Sequence, residues 1–201
     1  MKVTLIDYGA GNVPSVERAF RRLGAEAETT NSRGKIAEAR CLVLPGVGHC
    51  AALIHSLDKH SLRQPILQAV QRSIPFLGIC LGLQALYESS KEAPDLPGLG
   101  IFPGEVTRLP DTVKLPHMGW NTLQIIHPSR LLDSIAPGSY FYFAHSFAAP
   151  AAGPENVAVC EHGREFAAVI ERGNLCAVQF HPEKSGAAGA QVLQNFLKVA
   201  A

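Results

Sequence analysis

A chain of 201 residues, 47% apolar and 17% charged, can bury a sizeable core, which argues against a disordered chain and suits one domain over residues 1–201. Its 18 Lys and Arg against 17 Asp and Glu leave a net charge of +1, giving no electrostatic footprint for nucleic acid or an anionic membrane. No apolar run reaches the ~18 residues of a membrane span; Met1–Asp7 has no signal-peptide pattern, and five cysteines without a C-x-x-C pair suit reduced thiols, so the expected location is the cytoplasm.

Taken along the chain, apolar periodicity predicts a strand at Lys2–Asp7, a helix at Asn12–Leu23, a strand at Ala25–Thr29, a short helix at Lys35–Ala39 and a strand at Cys41–Leu44. Helices follow at His49–Leu57 and Leu62–Ser73, then a strand at Phe76–Ile79 and a helix from Leu81 to about Glu88. Strand alternating with helix argues for a parallel sheet covered on both faces. The breakers of Glu92–Gly98 end that pattern. Short strands then dominate, at Glu105–Leu109, Asn121–Ile126, Ser139–Phe143, Val157–Glu161, Phe166–Glu171 and Leu175–Phe180. A last helix at Gly186–Val199 carries Val192, Phe196 and Val199 at helical spacing. The expected class is α/β: a single open, mostly parallel sheet flanked by helices, with an antiparallel β extension.

The most informative segment is Phe76-Leu77-Gly78-Ile79-Cys80-Leu81-Gly82, a strand running into a helix with a cysteine at the junction. Gly78-x-Cys80-x-Gly82 is the cysteine form of the nucleophile elbow. The sharp turn lifts the thiol above the sheet, and the helix start at Leu81 offers partial positive charge and a free N–H for an oxyanion. A lone cysteine is more often a buried structural residue; the two flanking glycines shift the balance toward the nucleophile.

A thiol catalyst needs a base, and the base an orienting group. His181 has the best context of the eight histidines, since it follows an apolar strand and precedes Pro182-Glu183, whose carboxylate could turn back to the ring. A satisfied structural histidine is the plainer alternative, and sequence leaves both open. The loop Leu44-Pro45-Gly46-Val47-Gly48-His49 opens a helix at the same sheet end and could supply a second oxyanion N–H, or be a simple tight turn. Gly9-Ala10-Gly11-Asn12-Val13-Pro14 fails as a dinucleotide loop because Pro14 replaces the third glycine; it reads as a turn with Asn12 near the helix cap.

Together, Gly78–Gln84 and His181-Pro182-Glu183 resemble the nucleophile and base motifs of the triad (class I) glutamine amidotransferases, in order and spacing, over nearly the whole chain. That resemblance implies a flavodoxin-like sheet and hydrolysis of L-glutamine through a Cys80 γ-glutamyl thioester, with His181 moving the proton and Glu183 orienting it. It further implies that Gly48, Gln84, Ser146 and Phe147 hold glutamine, and that N–H groups at Val47 or Gly48 join Leu81 in the oxyanion hole. No cofactor and no metal are expected.

Within the family, Asp7–Asn12, Pro45–Gly48, Tyr142–Phe147, the extension to Lys184-Ser185 and above all Pro116-His117-Met118-Gly119-Trp120-Asn121 resemble the branch supplying ammonia to histidine biosynthesis. This implies a heterodimer with a separate (β/α)-barrel cyclase subunit, docked on Asn12, Trp120, Tyr142 and Lys184. From composition alone Trp120 is more often a core aromatic, although Gly119 and Asn121 beside it favour an exposed turn. His117 and His145 are expected to be structural. The alternatives are an ammonia donor of vitamin B6, anthranilate or guanylate synthesis, a nucleophile-elbow cysteine hydrolase, and a noncatalytic subunit.

Overall fold

The structure, a computed structural model, describes residues 1–9 and 12–201; Ala10 and Gly11, inside the expected Gly9–Pro14 turn, lie outside the described residues. The first half alternates β1 (Lys2–Ile6), α1 (Val13–Arg22), β2 (Glu26–Thr30), α2 (Arg33–Glu38), β3 (Leu42–Gly46), α3 (Cys50–Lys59), α4 (Arg63–Gln71), β4 (Phe76–Cys80) and a four-residue α5 (Leu81–Gln84). Then come β5 (Tyr87–Ser90), β6 (Phe102–Arg108), β7 (His117–Thr122), β8 (Gln124–Ile125), β9 (Tyr140–His145) and β10 (Phe147–Ala148). The chain closes with β11 (Asn156–Glu161), β12 (Glu165–Arg172), β13 (Leu175–Val178), a 3-10 turn at Pro182–Lys184 and α6 (Gly186–Val199).

The main sheet has eight strands in the order β2-β1-β3-β4-β13-β12-β11-β8. Pairings from β2 through β13 are parallel and the remainder antiparallel, as expected for an α/β sheet with an antiparallel extension. Central strands are buried on both faces because alternate residues enter two different cores. Leu77 and Ile79 of β4 join Val16, Phe20, Val192 and Phe196 on the α1/α6 side, whereas Phe76 joins Leu53, Ile54, Leu57 and Ile66 on the α3/α4 side. Val13, Val16 and Phe20 share one face of α1, and Phe20 meets Phe196 edge-on at 6.3 Å. Among the described residues no helix is long and apolar enough to cross a membrane.

Three expectations are corrected. The helix expected from Leu81 to Glu88 ends at Gln84, because Tyr87–Ser90 leaves it to pair with β6 in a separate sheet of order β10-β6-β5. The single strand expected at Asn121–Ile126 is two, β7 and β8, whose partners differ: β7 pairs with β9 from Thr122↔Tyr140 to His117↔His145, and β8 pairs with β11. The short β10 was not anticipated, since two residues carry no readable alternation.

Candidate active site

Parallel pairing brings the elbow and the glycine-rich loop together. Gly46 lies opposite Cys80 in the β3–β4 register, and Val178 of β13 lies opposite Ile79, so the residues following all three strands meet at one sheet end. Cys80 adopts φ 53° and ψ −106°, a conformation that side-chain-bearing residues rarely hold and the one the elbow requires. The turn is tight enough that a Cβ at Gly82 would stand 1.9 Å from the Leu44 carbonyl oxygen, and one at Gly78 2.8 Å from the Gly82 carbonyl. Glycine at these two positions lets β3, β4 and α5 touch backbone to backbone.

His181 is almost fully buried; its Nδ1 lies 3.0 Å from Glu183 Oε1, and its ring stands beside the Cys80 thiol. Burial disfavours the imidazolium, yet the neighbouring Cys80 and, after it, the Glu183 carboxylate outweigh it and raise the His181 pKa well above the ordinary histidine value. The base motif is clamped from outside by β9: the His181 N–H donates to the Tyr142 carbonyl at 2.8 Å, the Ser185 hydroxyl donates to the His181 carbonyl at 2.7 Å, and the Tyr142 N–H donates back to that hydroxyl at 3.0 Å. Asn12, expected near the helix cap and on the partner face, directs its amide inward to Glu183 Oε1 at 3.3 Å and makes no side-chain cap.

Beside Cys80 lies a small cleft of about 50 Å³, lined by Val47, Gly48, Leu81, Gln84, Ser146 and Phe147, with Glu92, Ala144 and His145 completing the wall. Every residue expected to hold substrate or stabilise an oxyanion therefore borders one space. Two details revise the expectations. Val47 is not a free oxyanion donor here, because its N–H donates to the Tyr8 hydroxyl at 3.0 Å while that hydroxyl donates to the Val47 carbonyl at 3.1 Å. Leu81, as the first helical residue, keeps an N–H with no intrahelical acceptor, although the four-residue α5 adds much less dipole than the longer helix expected. Gly48 sits at φ 101°, and the N–H of this exposed loop residue is the remaining candidate for the second donor.

Sequence reasoning missed three residues here. Glu92, in the breaker segment, is the one carboxylate bordering the cleft among the described residues, and it accepts the Cys50 N–H at 2.8 Å; nothing in the sequence marks it. Tyr8 holds the Val47 loop. Gln179, whose Nε2 lies 3.5 Å from Cys80 Sγ, had a usable signal as a polar residue in an otherwise apolar strand. His117 and His145 are buried and paired at 3.2 Å as structural residues would be, but His145 also borders the cleft. Trp120 is 55% exposed rather than core, and packs edge-on against Tyr142 at 5.9 Å, with Lys184 Nζ 5.6 Å from the Tyr142 ring centre. Among the described residues no group of three or more His, Cys, Asp or Glu is placed to hold a metal ion.

The family described as glutamine amidotransferase class-I matches residues 4–200. The chain is 46% identical over 197 residues to the imidazole glycerol phosphate synthase subunit HisH of Methanothermobacter thermautotrophicus, covering 98% of each. It is also 46% identical over 195 residues to the protein of the same name from Moorella thermoacetica, covering 96% of this chain and 93% of that one. Among solved structures, a glutamine amidotransferase superposes with a TM-score of 0.77 at 18% identity, covering 98% of both chains. The PurLQS structure from Thermotoga maritima superposes with a TM-score of 0.76 at 20% identity, covering 98% of this chain and 97% of that one. These last two likenesses speak to the fold alone.

Proposed function

The chain belongs to the class-I glutamine amidotransferase family, and on that premise we propose that it is the glutaminase subunit of an imidazole glycerol phosphate synthase, supplying ammonia for histidine biosynthesis. The observation that carries the reading at the level of chemistry is the Cys80–His181–Glu183 arrangement, a strained nucleophile beside a buried imidazole whose far nitrogen meets a carboxylate at 3.0 Å. Residues 1–201 act as one amidotransferase domain, working in the cytoplasm.

In this mechanism the Cys80 thiolate attacks the side-chain amide carbon of glutamine, and the oxygen that becomes negative is held by the Leu81 N–H and a donor from the Val47–Gly48 loop. His181 gives its proton to the departing nitrogen as the C–N bond breaks, leaving a γ-glutamyl thioester and free ammonia. His181 then takes a proton from water, which attacks the thioester to release glutamate and expel the Cys80 thiolate, returning the pair to its starting state. Glu183 keeps the imidazole turned toward sulfur throughout, itself held by Asn12. Gly48, Gln84, Ser146 and Phe147 grip glutamine, and Glu92, bordering the same cleft, matches the substrate's α-ammonium group in charge. The Val47 N–H must leave Tyr8 before it can serve, which suits a site that turns over when its partner is engaged.

That partner is a (β/α)-barrel cyclase subunit, joined as a heterodimer through the exposed Trp120 and Lys184 and the half-buried Tyr142, with Asn12 alongside. The test is glutamate release from glutamine by the purified chain, alone and then with the cyclase subunit and its nucleotide ligand, for the wild type and Cys80→Ser. Turnover that needs the partner and vanishes in the variant is the expected result. Glutamine left intact under every condition would sink the reading.

A further inference from the structure

Gln179 is a fully buried amide one residue past the end of β13, and the triad chemistry gives it no task. Because Val178 pairs with Ile79, the next residue along each strand brings Gln179 beside Cys80, just as His181 is brought in two positions later. A buried amide must satisfy both of its ends.

The orientation of this amide follows from a backbone carbonyl. The Phe147 carbonyl oxygen can only accept, so the Gln84 atom 2.7 Å from it is nitrogen. That nitrogen also lies 3.1 Å from Gln179, whose facing atom is therefore the acceptor Oε1. The opposite end of Gln179 is then the NH₂ group, and it stands 3.5 Å from Cys80 Sγ. Turning Gln179 over would oppose two donors at 3.1 Å and aim a carbonyl oxygen at the sulfur. The Phe147 carbonyl is itself held by His145 Nδ1 at 2.9 Å, so the acceptor that sets the chain is fixed in place.

We infer that Gln179 is a further catalytic residue, whose side-chain N–H donates to the Cys80 sulfur and stabilises the thiolate that attacks the amide, with Gln84 and the Phe147 carbonyl holding it the right way round. A donor aimed at sulfur favours the anion over the thiol, since hydrogen bonds to charged acceptors are the stronger ones. It thereby divides the work with His181: one group takes the proton, the other steadies the charge left behind. Gln84 acquires a second task, for besides bordering the glutamine cleft it sets the polarity of the amide on the nucleophile.

The inference rests on Cys80 being the nucleophile, but its test needs no glutamine. Cys80 alkylation by iodoacetamide is followed across pH by mass spectrometry of the Cys80 peptide, the other four cysteines being buried away from the cleft. In Gln179→Met, which keeps the bulk and removes the donor, the rate at neutral pH is expected to fall about tenfold and the profile to move to higher pH. Gln179→Glu retains an acceptor for Gln84 while setting a carboxylate against the sulfur, and should react more slowly still; it decides the matter alone if the Met variant does not fold. Profiles that superimpose on the wild type in the folded variants overturn the inference, and glutamine turnover measured alongside separates the two readings. Normal wild-type turnover with unchanged alkylation removes Gln179 only, whereas shifted alkylation with no turnover under any condition removes the amidotransferase assignment only.

Discussion

Cys80 concentrates the tension of the site in one pair of dihedral angles. At φ 53° and ψ −106° its Cβ is crowded by its own backbone, a strain of about 1–3 kcal/mol that the surrounding strands must hold in place. In an ordinary strand, glycine is less stable than alanine by about 0.5–1 kcal/mol. Here the order should reverse. Cys80→Gly is expected to be at least as stable as Cys80→Ala in chemical denaturation, with both inactive toward glutamine. If Cys80→Gly is the weaker by the usual margin, the elbow is not strained.

At the scale of elements, the two-stranded β7–β9 sheet is tied to the cleft through histidines rather than apolar contacts alone. His117 Nδ1 meets His145 Nε2 at 3.2 Å, and His145 Nδ1 donates to the Phe147 carbonyl, so both rings are held neutral. Burial, offset in part by the Phe147 hydrogen bond and reinforced by His117, His162 and His181 nearby, pushes the His145 pKa down to about 3. An unfolded histidine takes its proton near 6.5, so between these values the unfolded chain binds more protons than the folded one. Stability therefore holds above pH 6.5 and is lost as pH falls, by about 1.4 kcal/mol per unit for a fully buried ring. Denaturation midpoints from pH 7 to 5 should fall less steeply in His145→Gln, whose amide can still donate to Phe147; parallel slopes would contradict this. Close approach at the other end of the site makes a second demand on elements. Gly82→Ala should cost at least about 3 kcal/mol and abolish turnover, because β3 and α5 must separate to admit a methyl group 1.9 Å from a carbonyl oxygen.

For the whole molecule, the candidate triad and the Trp120–Tyr142–Lys184 patch are mechanically one region. Tyr142 contributes its ring to the Trp120–Lys184 cluster and its backbone to the clamp on His181, so whatever presses on the patch presses on His181. Trp120 loses little if removed from the isolated chain, being more than half exposed, but it has the size and setting of a docking anchor. Trp120→Ala is expected to weaken binding of the proposed cyclase subunit by about 2 kcal/mol or more in calorimetric titration, with the stability of the free chain changed by less than about 1 kcal/mol. Unchanged affinity would move the docking surface elsewhere.

The alternation of apolar runs, the glycines around Cys80 and the His181-Pro182-Glu183 sequence are local patterns, and they were enough to determine the α/β sheet, the elbow and the candidate triad. Each depends on spacing along the chain, which a sequence displays directly. What a sequence does not display is which partner a short segment prefers. Tyr87 and Glu88 continue a helical pattern on paper, yet Tyr87–Ser90 pairs with β6 because that sheet gives its backbone groups partners and buries Tyr87. The diversion of the Val47 N–H to Tyr8, the inward turn of Asn12 to Glu183, and the approach of Glu92 to the cleft are likewise contacts across 39, 171 and 42 residues of chain. Only the tertiary structure decided them, because buried polar groups must find partners wherever folding places them, and that choice is made in space rather than along the sequence.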